Sequence, residues 1–105
     1  MAATLEDLTV ELRDFAKARD WGQFHSPKNL AAALSVEAAE VLEHFQWLTE
    51  QQSRELEAGP RDAVADELAD VLLYLVQLAD QLGVDLMQAA TAKLARNAQR
   101  FPVNG

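Results

Sequence analysis

From Val64 to Leu82, apolar residues recur at spacings of three and four: Val64, Leu68, Val71, Leu72, Leu75, Val76, Leu78, Ala79 and Leu82. The period is that of an α-helix, and the face is too broad for a helix with a single neighbour. The segment therefore reads as a central helix over about residues 61–82, around which the rest of the chain must pack. Leu5, Leu8, Leu12 and Phe15 mark a first helix over about residues 4–20, with Thr4 as N-cap and Asp7 as its reciprocal partner. Leu30, Leu34, Ala38, Val41, Leu42, Phe45 and Leu48 mark a second. It opens on Ser26-Pro27 and continues to about Glu50. A polar connection punctuated by Gly59-Pro60 leads into the central helix, and Gly83 closes it. Asp85 and Gln88 then open a last helix, ending near Arg100 ahead of Pro102.

Composition supports that reading. The chain has 19 Ala and 16 Leu against 8 Val, 4 Thr and no Ile, so helix formers far outnumber β-branched residues. The expectation is an all-α, four-helix bundle forming one domain over residues 1–105. Four helices with one so apolar bury their faces poorly alone, so association of copies is expected to complete the core. Absence of cysteine excludes a disulfide framework, a thiolate zinc site and a cysteine nucleophile. Seventeen acids against nine bases, a net charge of −8, argue against binding a nucleic-acid polymer. The longest uncharged run, Val71 to Ala79, is far too short to cross a bilayer. With no signal-peptide pattern at the start, a cytoplasmic protein is expected.

Within that charge, two acidic pairs stand out. Residues 34–42 align with residues 64–72, matching Glu37 to Glu67 and Glu40 to Asp70. At 100° per residue with Leu34 at zero, Glu37 falls at about −60° and Glu40 at about −120°, on one flank of the apolar stripe. With Val64 at zero, Glu67 and Asp70 fall at about the same two angles. Antiparallel packing through the stripes would converge all four, whereas Glu43, near 180°, faces away. Four carboxylates in one seam repel unless a cation is present, and an oxygen-only ligand set suits Mg²⁺ or Mn²⁺. A solvated acidic face on two Ala-rich helices explains the same spacing, and spacing alone leaves both readings open.

At these residues the sequence resembles the MazG-like all-α nucleoside triphosphate pyrophosphohydrolases, which carry E-x-x-E on one helix and E-x-x-D on the next. Here the pairs are Glu37-Ala38-Ala39-Glu40 and Glu67-Leu68-Ala69-Asp70. The similarity runs from about Leu8 to Pro102. Arg19 to His25, Pro27 to Leu30, Phe45-Gln46-Trp47 and Leu72-Leu73-Tyr74 are closest to the dCTP pyrophosphatase branch. Lys93, Asn97, Arg100 and Pro102 match the family's C-terminal pattern.

The resemblance implies cleavage between the α- and β-phosphates, giving a nucleoside monophosphate and pyrophosphate. It implies Mg²⁺ on Glu37, Glu40, Glu67 and Asp70, with Glu37 and Glu40 equal candidates for the general base. It places Trp21, Gly22, Gln23, Phe24, His25, Trp47 and Tyr74 around the base. It also implies a homo-oligomer, with a tetramer favoured over a dimer. Two departures bear on substrate. Leu12 stands where animal members often have histidine, and Arg100-Phe101-Pro102 replaces the family's Arg-Tyr-Pro.

The remaining polar residues have two readings each. Trp21 lies in a loop, while Trp47 and Tyr74 fall on the acidic flank of their wheels, suiting either base stacking or packing. His25 either donates to a base or sugar oxygen or caps its loop. His44, four residues after Glu40, either joins a polar network or faces solvent, and solvent is the expectation. Lys93 and Arg100 either answer the helix dipole or reach a triphosphate with Asn97, and Lys28 adds a cation near a helix start. Rival functions are an acidic helical interaction module without chemistry and a ferritin-like carboxylate metal protein. The latter uses Glu-x-x-His pairs, which this chain lacks.

Overall fold

Thr4 accepts a hydrogen bond from the Asp7 backbone N–H at 3.0 Å and thereby starts α1, Leu5–Ala18. The reciprocal contact differs from expectation: the Asp7 carboxylate accepts from the Ala3 N–H, at 3.3 Å, one residue before the cap. The computed structural model describes residues 2–103. After α1 come a 3₁₀ turn, Gly22–Phe24, and then α2, Pro27–Glu43, α3, Glu50–Arg54, α4, Ala58–Gln81, and α5, Leu86–Arg100. No strand occurs among the described residues, so the all-α expectation holds.

Helix boundaries follow local chemistry. Ser26 caps α2 by accepting from the Asn29 N–H at 3.1 Å, with Pro27 supplying the first helical residue, where a missing N–H costs nothing. Asp85 caps α5 through the Gln88 N–H at 2.9 Å. Both α1 and α4 end in the same six-to-one closure. Trp21 N–H bonds to Ala16 O at 2.9 Å, and Val84 N–H bonds to Ala79 O at 2.9 Å. The left-handed residue this closure needs is Gly83, φ 67°, after α4 but Asp20, φ 55°, after α1.

Three expectations are corrected. Helix α2 stops at Glu43, not near Glu50; the chain then turns, with Phe45 and Gln46 N–H groups both bonding to Leu42 O at 2.9 Å. The apolar spacing continues through Phe45 and Leu48 across that turn, although Phe45 is half-buried and Leu48 exposed, so periodicity overshoots the true end. Helix α3 falls where the sequence reads as polar connection. It is held by a full capping box between Thr49 and Gln52. Helix α4 begins at Ala58, so Gly59 and Pro60 lie inside its first turn, where helix N–H groups lack partners anyway.

Helix α4 is central, as its broad face requires: it packs chiefly against α2 and secondarily against α1. Leu30 from α2 and Val64, Val76 and Ala79 from α4 are buried. An Arg13–Asp80 fork clips α1 to α4, Nε donating to Oδ2 at 2.8 Å and the second arm engaging Oδ1. Helix α5 makes no comparable contact with the other helices. The four long helices therefore do not close a bundle within one chain. Leu42, Leu68, Leu82, Met87 and Leu94 are all more than half exposed. No helix among the described residues is long and apolar enough to cross a membrane.

Candidate metal and nucleotide site

The α2–α4 contact brings the acidic pairs together. Glu67 lies beside Glu40 and His44, while Asp70 acts on Glu37. Rising numbers on one helix thus meet falling numbers on the other, which makes the helices antiparallel here. One oxygen each from Glu37, Glu67 and Asp70 lies within 4.8 Å of the other two. Glu40 stands close enough to both Glu37 and Glu67 to raise their pKa values. Glu37, Glu40 and Glu67 are half-buried, and Asp70 is exposed at the rim.

Burial, reinforced by Glu40 and by the charges of Asp70 and Glu67, pushes the Glu37 carboxyl up to about 7. Glu67 is raised too, by Glu40 first and burial second, against the opposing pull of His44. Among the described residues, Glu37 Oε2 and Glu67 Oε2 are buried side-chain oxygens without a hydrogen-bond partner. Such atoms are destabilising unless something positive meets them. Two orphaned carboxylate oxygens within a converging oxygen set fit a hard divalent cation, which prefers carboxylate oxygens and tolerates several acids at once. A solvated acidic face would leave these oxygens wet.

Further along α4, a cavity of about 300 Å³ opens between α1, the 3₁₀ turn and α4. Leu12, Gly22, His25, Val76 and Gln77 are among its walls, beside the Arg13–Asp80 fork. Gln77 follows Asp70 by seven residues. It therefore lies on the same face, roughly 10 Å along the helix axis. An acidic seam and a mixed polar–apolar cavity thus share one face of α4, with half-buried Tyr74 between them in sequence.

The other expected site residues are placed as follows. Trp21 is 43% exposed and packs edge-on against Phe15, with ring centroids 5.6 Å apart, and near His25 at 6.4 Å. The Arg19 guanidinium lies 3.5 Å over the Phe15 ring, on which it stacks. The Gln23 amide donates to Asp20 O, and Asn29 ties the turn to α2 through Phe24 O at 3.0 Å. Phe24 itself is exposed. Lys28 is exposed in the first turn of α2. Trp47 lies beyond the end of α2, so its wheel angle does not apply, and it is 87% exposed. Lys93, Asn97 and Arg100 share a face of α5, and among the described residues no extensive packing carries that helix to the seam. The Arg100 guanidinium lies 5.1 Å from the Phe101 ring centroid.

One residue expected to face solvent does not. His44 is half-buried with Nε2 3.7 Å from Glu67 Oε1. The wheel already carried the signal, since His44 falls at about −80°, between Glu37 and Glu40.

Comparison with known proteins places these features. The MazG-like family model matches residues 32–105, which includes both acidic pairs. Among curated proteins, dCTP pyrophosphatase 1 of Mus musculus is 45% identical over 103 residues, and that of Homo sapiens is 44% identical. Each alignment covers 96% of this chain, which spans about 61% of the length of those relatives. The crystal structure of a pyrophosphatase from Archaeoglobus fulgidus superposes with a TM-score of 0.89 at 36% identity, covering 98% of this chain and 96% of that one.

Proposed function

The chain belongs to the MazG-like family, and we propose that it is a metal-dependent nucleoside triphosphate pyrophosphohydrolase. The proposed reaction cleaves between the α- and β-phosphates and releases a monophosphate and pyrophosphate. The observation that carries the reading is the antiparallel carboxylate seam with buried, unpartnered oxygens on Glu37 and Glu67. Relatives named for dCTP pyrophosphatase activity support dCTP or a modified pyrimidine deoxynucleotide as substrate. A cytoplasmic location goes with that proposal.

Glu37, Glu40, Glu67 and Asp70 would hold Mg²⁺, with Mn²⁺ as a substitute. When bound, the metal neutralises phosphate charge and acidifies water. The chain's own residues do the rest. Glu37 and Glu40 are the candidate proton acceptors, each a carboxylate beside the place the attacking water would occupy. The cavity beside Leu12, Gly22 and His25 would take the base, with Trp21 at its edge and Gln23 and Phe24 in the turn that shapes it. Tyr74, half-buried on α4 between Asp70 and Gln77 in sequence, would lie between base and phosphates. Leu12 contributes an apolar wall in that cavity, so any histidine contact there is absent.

Trp47, Lys28, Lys93, Asn97 and Arg100 remain part of the proposed substrate set, through assembly. The chain exposes 8185 Å², against roughly 5,800 Å² for a compact monomer of its 11.6 kDa mass. Its radius of gyration is 16.7 Å, against about 13 Å for a compact domain of this length. This excess and the uncovered leucines support a homo-oligomer, tetramer favoured, in which a neighbouring copy covers α5 and brings its cations toward a seam. Light scattering that returned the mass of one chain would overturn the assembly.

The activity is tested by incubating canonical and modified nucleoside triphosphates with the protein and Mg²⁺, scoring monophosphate and pyrophosphate. Pyrimidine deoxynucleotides are expected to be cleaved best. No turnover of any nucleotide removes the enzyme reading, and faster purine turnover removes only the base-pocket assignment.

A further inference from the structure

Glu67 divides its two oxygens between different surroundings. Oε1 faces the His44 imidazole at 3.7 Å, within ion-pair range and just beyond a hydrogen bond. Oε2 is buried and has no partner. Among the described residues, His44 is the one basic side chain at ion-pair distance from a seam carboxylate. Its own position is set by the end of α2. As the C-cap, with φ −69° and ψ −19°, it bonds through its N–H to Val41 O at 3.2 Å, and the chain leaves the helix axis immediately afterwards. The imidazole and the carboxylate are both largely shielded, with side chains 30% and 23% exposed.

We propose that His44 is a positioning residue for Glu67, holding Oε1 through its Nε2–H so that Oε2 is presented to the divalent cation. The proposal rests on the metal reading above and adds a residue that reading does not use. A glutamate has three side-chain torsions, and a carboxylate surrounded by other acids turns outward toward water unless a donor restrains it. Donors behind the ligating atom fix ligand orientation in metal sites generally, and their loss weakens metal binding about 10–100-fold. The imidazole is suited to this because Nε2–H is available in the ε tautomer and in the cation alike. With a cation held at Oε2, Oε1 would remain available to the His44 N–H.

The test is Mn²⁺ binding to the nucleotide-free protein, followed by calorimetry, for wild type, His44→Leu and His44→Gln. His44→Leu removes the donor while keeping bulk, and is expected to bind Mn²⁺ about 10–100-fold more weakly. His44→Gln keeps an N–H donor and is expected to recover affinity to within about threefold of wild type. Undiminished binding by His44→Leu overturns the proposal, as does equal weakness of the two variants. If the leucine variant fails to fold, His44→Gln carries the test alone, and a tenfold loss there overturns it. Spin-echo modulation showing the His44 nitrogen directly on Mn²⁺ would also overturn it, by making His44 a ligand. Failure of the wild-type protein to take up Mn²⁺ would instead remove the metal reading itself.

Discussion

Glu67 and Asp80 stand on the same helix and their carboxyls are driven in opposite directions. Glu67 is held above its usual range by Glu40 and burial, whereas the Arg13 guanidinium holds Asp80 below its own. The Arg13–Asp80 fork is complete within the chain: two donor arms meet two oxygens, and the contact clips α1 onto α4. The seam at Glu67 is incomplete, with acids on both helices and orphaned oxygens at its centre. A completed ion pair serves the fold. An uncompensated cluster lowers stability, and the proposed cation would supply the missing charge.

The largest expected effect breaks that contrast at the seam. Glu37→Gln, Glu40→Gln, Glu67→Gln and Asp70→Asn should each cut turnover by about 10²-fold or more, since each removes a proposed ligand or base. The metal-free variants should nevertheless melt at or above the wild-type temperature, because each relieves like-charge repulsion. A seam variant with full turnover, or one that melts well below wild type without metal, would place the carboxylates on the structural side of the comparison.

A second, intermediate effect appears in pH and metal together. Glu37 keeps its proton in the folded state up to about 7, above the ordinary 4.5 of the unfolded chain. The folded protein therefore binds more protons between those values, and metal-free stability should fall as pH rises through this window. Divalent binding needs the ionised form, so stabilisation by Mg²⁺ should grow over the same window. At 100 times its dissociation constant the ion contributes about 2.7 kcal/mol. EDTA should abolish the gain. Thermal melts from pH 4 to 8, with and without Mg²⁺, measure both slopes, and parallel slopes would refute the assignment. Asp80 has the opposite sign: its depressed pKa gives stability above the ordinary 3.8, lost as pH falls through its lower folded value.

The smallest effect isolates the fork. Arg13 is exposed, and exposed pairs contribute little. Asp80→Asn should lower the melting temperature by only about 1–5 °C and leave Mn²⁺ affinity unchanged. A loss of metal affinity in this variant would join two regions that the structure keeps apart.

What was legible in the sequence was local. Thr4, Ser26, Gly83 and Asp85 hold the capping positions their chemistry suits, because a cap is decided by a few neighbouring residues. The end of α2 was less legible, since Phe45 and Leu48 keep the helical spacing across a turn. Helix α3 had its signal in Thr49 and Gln52, hidden inside a stretch that reads as polar connection. The two acidic pairs were visible as equal wheel angles, and so was the broad face of α4.

By itself, then, the sequence determined the helical class, the central helix and which carboxylates share a flank, because period and spacing are properties of a single helix. Only tertiary structure decided that the flanks meet antiparallel, that Glu37 and Glu67 each leave one oxygen dry, and that His44 turns toward Glu67. It also decided that α5 stands away from the seam with Leu94 70% exposed. These outcomes depend on how two helices approach each other, and desolvation and charge repulsion arise only after that approach has been made.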